Sequence, residues 1–216
     1  STLQPVYTLP SSASSAAHLT DICSGLNGKV SLRSALGPTP GVEIIIRHFC
    51  EGKPKLVRAQ RLFTVSADDL GPFTNPTLRL ATEADLPQLV PMAAGAVKEL
   101  YERDPLIEDP EGFKERVRAR VRAKRTYVLQ VAEQLVFKID VGSRSQFGAE
   151  VEGLYTIPEA RRHGHATLSL GQLSRQLLSS LPRLTLRVDD RDSSLAELAR
   201  KVGFLAGKSQ RLVMNA

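Results

Sequence analysis

Residues 154–166 carry the sequence LYTIPEARRHGHA, which predicts a β-strand, a stop at Pro158 and then a basic turn around Gly164. Residues 167–174, TLSLGQLS, continue directly as a predicted helix. The first amides of a helix have no intrahelical acceptor, and the helix dipole favours negative charge beside them. The sequence therefore predicts an anion site at residues 161–167 that suits a phosphorylated ligand.

The turn itself supports this prediction. Arg161, Arg162 and His163 add positive charge, and Gly164 lacks the Cβ that would keep a phosphate from the backbone. The alternative is a tight strand-to-helix turn in which glycine serves geometry alone. A metal site at His163 and His165 is not favoured, because no cluster of cysteines or carboxylates accompanies them in the sequence.

A second pattern follows downstream. Residues 184–188, LTLRV, alternate like a strand, and Asp192 is followed by apolar residues at helical spacing up to Gly203 and Phe204. Together the two patterns resemble the GNAT superfamily, the acetyl-CoA-dependent N-acetyltransferases. The turn matches R-x-x-G-x-A, and the second pattern is similar to a strand followed by N-x-x-A-x-x-L-Y-x-x-x-G-F. The resemblance covers residues 76–216.

The resemblance implies an α/β (α+β) fold with a mixed, mostly antiparallel central sheet flanked by helices. Residues 76–216 would form a GNAT-like N-acetyltransferase domain, and residues 1–75 a smaller α/β segment of unknown role. That segment could be a degenerate GNAT-like half, shape the acceptor site or form a homodimer interface. The implied function is acetyl transfer from acetyl-CoA, as co-substrate, to a primary amine of a small molecule or protein.

The resemblance also implies which residues hold acetyl-CoA. The strand before the turn would carry a bulge and bind pantetheine through its backbone, with an amide near Leu154 polarising the thioester carbonyl. An ordinary central strand is the alternative. The implied backbone contacts lie at Leu154, Tyr155, Thr156 and Ile157, and the implied pyrophosphate contacts at Arg161, Arg162, His163, Gly164, His165, Ala166 and Thr167.

Two acidic residues on this strand are candidates for the catalytic base, which must deprotonate the amine. Glu150 and Glu152 are two apart, so a regular strand points both to one face. The resemblance to the histone-acetyltransferase branch implies Glu150, with Glu152 as second choice or a relayed water. The alternatives are a solvated strand end and an ion pair with Arg or Lys.

The sequence departs from the family pattern at the expected acid. Many members carry a tyrosine, which protonates the leaving thiolate, where this chain has Ala199, and Asp192 replaces the asparagine. A non-catalytic acyl-CoA-binding or regulatory protein therefore stays open as an alternative.

Residues 114–125, KERVRARVRAKR, carry seven basic residues and one acid, in a chain of net charge +6. A nucleic-acid-binding module using this helix is the lesser alternative, and attraction of an acidic substrate is another. The favoured interpretation is the solvated face of an amphipathic helix whose apolar stripe is Phe113, Val117 and Val121. The positive charge overall favours an anionic ligand, and acetyl-CoA would suffice.

Other patterns organise the rest of the chain. We predict a buried strand over 42–50, a turn over 51–54 and a partner strand over 55–65, then a linker over 66–76. Thr82 and Asp85 predict a capping box at the next helix, and Asp109-Pro110 predicts the start of another. No apolar run is long enough for a membrane span, so we expect no membrane partner. Two cysteines make no disulfide framework, and we expect a cytoplasmic setting.

Overall fold

A computed structural model describes residues 13–26, 34–50, 52 and 54–214 of the chain. The helices are α1 (Ala13–Leu26), α2 (Thr39–Phe49), α3 (Leu86–Tyr101), α4 (Pro105–Glu108), α5 (Pro110–Arg122), α6 (His165–Leu178) and α7 (Ser193–Val202). The strands are β1 (Ser34–Pro38), β2 (Leu56–Val65), β3 (Arg79–Leu80), β4 (Thr126–Val131), β5 (Gln134–Ser145), β6 (Gly148–Thr156), β7 (Leu184–Asp189) and β8 (Leu205–Met214).

The chain divides into two compact units. Ser1–Leu62 and Gly207–Ala216 make the smaller unit, and Phe63–Ala206 make the larger one. This division lies earlier than the predicted boundary between residues 75 and 76, and it assigns β8 from Gly207 onward to the smaller unit. The predicted roles of the N-terminal segment stay predictions.

In the larger unit, the strands lie in the order β7-β6-β5-β4-β3. β3 with β4, β4 with β5 and β5 with β6 are antiparallel, whereas β6 and β7 are parallel. The predicted mixed, mostly antiparallel sheet is therefore confirmed. A parallel pair needs a crossover connection, and α6 supplies it between β6 and β7.

Apolar residues of the sheet are buried against helices in two clusters. One joins the sheet to α6 and α7 through fully buried residues such as Phe137, Val151 and Leu173. The other joins it to α3 and α5, where Leu89 and Val117 are buried. Burying each of these side chains contributes about 1.5–3 kcal/mol. In the described part of the chain, no helix has the length and apolarity that a membrane span requires.

The helix starts of the larger unit follow the predicted signals. The Asp85 carboxylate accepts hydrogen bonds from the Thr82 amide at 2.7 Å and from both Arg79 terminal nitrogens at 2.8 Å. The Arg79 hydrogen bonds are the main reason that the pKa of Asp85 falls to about 2. The predicted capping box and the start of α5 after Asp109 are confirmed. The predicted apolar stripe of α5 is likewise buried.

The predicted strand over 42–50 is wrong. Residues 42–49 belong to α2, which begins after Pro38 with a proline in its first turn. Three isoleucines in a row favour a strand, but Val42, Ile45 and Ile46 share one helical face and pack against Ala35 and Val213. The 55–65 segment is a strand as predicted, without the predicted hairpin partner. Residues 51 and 53 of the predicted turn lie outside the described residues.

The predicted linker over 66–76 is irregular, yet it packs inside the larger unit. The Gly71 amide donates to the Val202 carbonyl at 2.9 Å, and Arg175 donates to the Gly71 carbonyl at 2.9 Å. The Phe73 carbonyl lies so close to α6 that a Cβ on Gly171 would stand 2.5 Å from it. The turn-rich composition therefore marks a loop that packs within the larger unit.

Candidate functional site

The parallel strands β6 and β7 pair only over a short stretch. Ala149, Glu150 and Val151 lie opposite 184–186, and the described ladder stops there. β6 continues to Thr156, still paired with β5 on its other side. The edge of β6 that faces β7 is therefore open beyond Val151, and its amides and carbonyls can accept an added extended ligand.

A β-bulge lies at the point where this edge opens. Lys138 of β5 is opposite Tyr155, and Asp140 is opposite Glu152, so Gly153 and Leu154 together face Ile139. Gly153 has a φ of 59°, in the left-handed region that glycine enters without a steric penalty. The bulge implied by the resemblance is thus present, next to the predicted Leu154.

A buried charged pair lies behind the bulge. The Lys138 Nζ is 2.6 Å from Asp140 Oδ2 and donates to the Gly153 carbonyl at 2.8 Å. The two charged side chains are 3% and 6% exposed. This pair was not predicted from the sequence. Its signal was two charged residues inside the otherwise apolar run 135–141, LVFKIDV.

The side chains of the predicted binding strand hold it in place. Leu154 and Ile157 pack on the cluster that includes α6 and α7. Tyr155 reaches α3, where a Cβ on Gly95 would come within 2.6 Å of its hydroxyl oxygen. Thr156 pairs with Phe137 of β5. The Ile157 amide donates to the Val136 carbonyl at 3.1 Å, and its carbonyl accepts from the Ala160 amide at 3.0 Å, so the predicted contact at Ile157 is already used within the protein. The backbone nearer the bulge is the part of the open edge that is left for a ligand.

The predicted anion site has the geometry of an open helix start. Gly164 has a φ of 80° and lies just before α6, and a Cβ placed there would meet nothing within 4 Å. The Leu168 amide donates to the Gly164 carbonyl at 3.0 Å, so the amides of His165, Ala166 and Thr167 precede the first helical hydrogen bond. No side chain caps this start.

The cations of the turn have different surroundings. Arg162 and His163 are exposed, and the His163 ring stacks on His165 with centroids 5.9 Å apart. The Arg161 guanidinium is instead bonded to Glu99 at 2.5 Å and to the Thr156 carbonyl at 3.0 Å. Arg161 therefore ties the end of β6 to α3, which the sequence did not indicate.

The two candidate bases are both ion-paired. Glu150 pairs with Arg187 and is 3.5 Å from the Ser143 hydroxyl. Glu152 is 2.9 Å from Arg120. Ion pairing was one of the alternatives for these glutamates, and they lie on either side of Val151, where the edge of β6 opens.

Tyr101 lies beside both glutamates and was not predicted. Burial raises the pKa of the Tyr101 phenol, and the negative charges of Glu152 and Glu150 raise it further, against an opposing effect of Arg187. The phenol therefore keeps its proton at neutral pH. No sequence motif marks Tyr101, because its place depends on where α3 ends relative to β6.

The position where family members carry a tyrosine is closed. Ala199 is fully buried and packs in the core. Asp192 has a local function, since its carboxylate accepts a hydrogen bond from the Leu195 amide at 2.9 Å and begins α7.

The basic face of α5 is paired with acids of the same unit. Lys114 binds Glu111, Arg116 binds Asp109, and Arg118 binds Glu115, at 2.6–2.9 Å. Arg122 is held by Glu83 at 2.7 Å. These pairs support the interpretation of α5 as a solvated amphipathic helix.

Solved structures with this fold include several acetyltransferases. An acetyltransferase from the GNAT family of Colwellia psychrerythraea matches 97% of this chain and 76% of its own, at 11% identity and a TM-score of 0.65. A GCN5-related N-acetyltransferase from Kribbella flavida matches 85% and 68%, at 15% identity and a TM-score of 0.54.

A third similar structure is the PaiA N-acetyltransferase from Thermoplasma acidophilum in complex with coenzyme A. It matches 64% of this chain and 98% of its own, at 18% identity and a TM-score of 0.52. Comparison with family models and with curated protein sequences gives no match. The chain therefore has the fold of the GNAT acetyltransferases, shown by structure at low sequence identity.

Proposed function

We propose that the protein is an N-acetyltransferase that moves an acetyl group from acetyl-CoA to a primary amine. One observation carries the proposal: the open, bulged edge of β6 leads, through residues 157–163, to an uncapped helix start with free space at Gly164. An extended chain that ends in phosphates fits such an edge and such a helix start. The coenzyme A bound by the similar Thermoplasma protein has this chemistry.

In this proposal the pantetheine arm lies along the open edge of β6 and binds the backbone of residues 154–156. The amides of residues 164–167, with Arg162 and His163 beside them, bind the pyrophosphate. The Leu154 amide at the bulge donates to the thioester oxygen, where negative charge develops as the amine attacks. Alignment of amine and thioester in one cleft supplies much of the rate.

Glu150 is proposed as the base, directly or through a water. The ammonium of the acceptor loses one proton to Glu150, and the amine nitrogen then bonds to the carbonyl carbon. As the carbon–sulfur bond breaks, the nitrogen gives up its second proton to water. Coenzyme A leaves as a thiolate, which is a good leaving group near neutral pH. The acceptor is an amine of a small molecule or of a protein.

A second candidate is an acyl-CoA-binding protein without turnover. The observation in its favour is the buried Ala199, which leaves no phenol at the position from which family members protonate the thiolate. This candidate predicts acetyl-CoA binding without acceptor-dependent release of thiol. The ion pairs along α5 count against the nucleic-acid alternative, because much of its positive charge is already neutralised.

Calorimetric titration with acetyl-CoA, followed by a thiol-release assay with a panel of amines, tests the proposal. We expect saturable binding and amine-dependent release that falls by about 10²- to 10³-fold in Glu150→Gln. Binding without release for any amine would favour the second candidate. A folded protein that fails to bind millimolar acetyl-CoA would exclude both.

A further inference from the structure

The buried Lys138 occupies an unusual place for a cation. Its ammonium lies in the interior of the sheet, donating to the Gly153 carbonyl at 2.8 Å and to Asp140 at 2.6 Å. Burying a charge costs several kcal/mol unless it is paired and hydrogen-bonded. Replacing a buried ion pair by apolar residues is often neutral for stability, so the hydrogen bond between Lys138 and the bulge points to a role other than stability.

The Gly153 carbonyl belongs to the same peptide group as the Leu154 amide. In a trans peptide the C=O and the next N–H point in opposite directions across a rigid plane. A cation bound to the carbonyl therefore fixes the direction of the N–H. It also draws electron density toward the oxygen, which makes the N–H a stronger donor.

The rest of the cluster holds Lys138 in this position. Asp140 also accepts hydrogen bonds from Thr126 at 2.7 Å and from Arg120 at 3.1 Å. The space beside Gly153 is filled, since a Cβ there would lie 2.6 Å from Asp140 Oδ2 and 3.0 Å from Lys138 Nζ. The bulge is thus determined both by the glycine backbone and by the charged pair that packs on it.

We infer that Lys138 is a positioning residue for acyl transfer, which orients and polarises the Gly153–Leu154 peptide so that the Leu154 amide binds the thioester oxygen. The inference rests on the proposed function. In this role Lys138 contacts neither acetyl-CoA nor the amine. It acts by holding the Gly153–Leu154 peptide, and Asp140 acts by holding Lys138.

The test measures the thioester carbonyl directly and needs no acceptor. Acetyl-CoA labelled with ¹³C at the acetyl carbonyl is bound to the protein, and isotope-edited infrared spectra give the stretching frequency of that bond. A hydrogen bond lowers the frequency. In the wild type we expect the frequency of bound acetyl-CoA to lie below that of free acetyl-CoA in the same buffer. In Lys138→Met we expect about half of this shift or more to be lost, with little change in the acetyl-CoA Kd.

Two further variants make the result specific. Lys201→Met removes an exposed lysine of α7 and should keep the full shift. Lys138→Met leaves the Asp140 charge buried, which can unfold the protein. The double variant Lys138→Met/Asp140→Asn removes both charges, and it should lose the same part of the infrared shift. If an amine substrate is found, kcat should fall about tenfold in the Lys138 variants while the KM for acetyl-CoA holds.

The outcomes separate the two claims. A folded Lys138 variant that binds acetyl-CoA with the full wild-type shift overturns the role of Lys138 and leaves the proposed function in place. A wild type that binds without any shift also overturns it. A wild type that fails to bind acetyl-CoA overturns the proposed function and the inference together.

Discussion

The start of α6 differs from the starts of α5 and α7 in how its first amides are satisfied. Asp109 accepts from the Gly112 amide at 3.0 Å, and Asp192 accepts from the Leu195 amide at 2.9 Å. α6 begins after Gly164, which has no side chain to cap the helix and has open space around it. A helix start that the protein leaves uncapped at the end of an open strand edge is available to an anion from outside.

The difference shows why a count of positive charges misleads. α5 is the more basic segment, yet its arginines and lysine are bound to neighbouring acids. The turn before α6 has fewer cations, and one of them, Arg161, is bound to Glu99. What distinguishes the turn is its unpaired backbone donors, which carry a partial positive charge at a fixed place.

The largest effect should come from filling the space at Gly164. Gly164→Trp puts an indole where the phosphates would lie, and we expect acetyl-CoA affinity to fall by about 100-fold or more. Gly52→Trp is the matched control, since Gly52 has a φ of 99° and also has nothing within 4 Å. Calorimetry with both variants tests this, and equal losses in the two would show that the effect is not local.

Giving α6 a carboxylate of its own should remove the difference between the helix starts. Asp and Asn both tolerate the left-handed region, so Gly164→Asp and Gly164→Asn differ mainly in charge. We expect the Asp variant to bind acetyl-CoA about tenfold more weakly than the Asn variant, because its carboxylate repels the phosphates. Equal affinities for the two would contradict an anion site at this turn.

The Asp85 carboxylate, at the start of α3, has its hydrogen-bond partners within the protein. Its contribution to the free energy of unfolding should therefore depend on pH. Its pKa of about 2 in the folded state lies below the unfolded value of about 3.9. The stabilisation is therefore complete above about pH 4 and is lost as the pH falls toward 2. Arg79 is 40% exposed, so screening limits the effect to about 1–2 kcal/mol at neutral pH.

Urea denaturation of the wild type and Asp85→Asn measures this. The free energy of unfolding should differ most at neutral pH, and the difference should shrink toward pH 2. A gap of constant size across that range would mean that the capping hydrogen bonds, and not the charge, carry the effect.

The smallest effect is expected at the start of α7. Asp192→Ala removes a cap and should lower the free energy of unfolding by about 1 kcal/mol. Acetyl-CoA affinity should stay within about twofold of the wild type, because this helix start is already satisfied by its own side chain. A large loss of affinity in a stable Asp192 variant would show that α7 takes part in binding.

Local signals predicted much of the larger unit. Pro158 and Gly164 mark the strand, turn and helix, and Asp109-Pro110 marks α5, because caps and breakers act over a few residues. The strand predicted at 42–50 failed because burial on one helical face outweighed the β-branched residues.

Features that depend on distant partners were not predictable in this way. The partner of Arg161 is Glu99, sixty-two residues away, and the bulge depends on the register between β5 and β6. The 66–76 segment has the composition of a linker, and only its hydrogen bonds to Val202 and Arg175 show that it is packed. Lys138 and Asp140 stand out as charges in an apolar run, but their contact with the bulge could be seen only once the residues opposite them on β6 were known.

The short parallel ladder between β6 and β7 also bears on how the protein folds. The β4-β5-β6 meander joins neighbours along the chain, whereas β7 reaches β6 only after the whole of α6 has crossed over. Contacts between residues far apart in sequence form late, because the entropy of closing the loop is lost first. The β6–β7 pairing beside the open edge is therefore expected to form near the end of folding and to be the first part of the sheet to open. A ligand that binds only when β6 and β7 are paired would make this opening rarer, and amide hydrogen exchange of β7 would become slower in its presence.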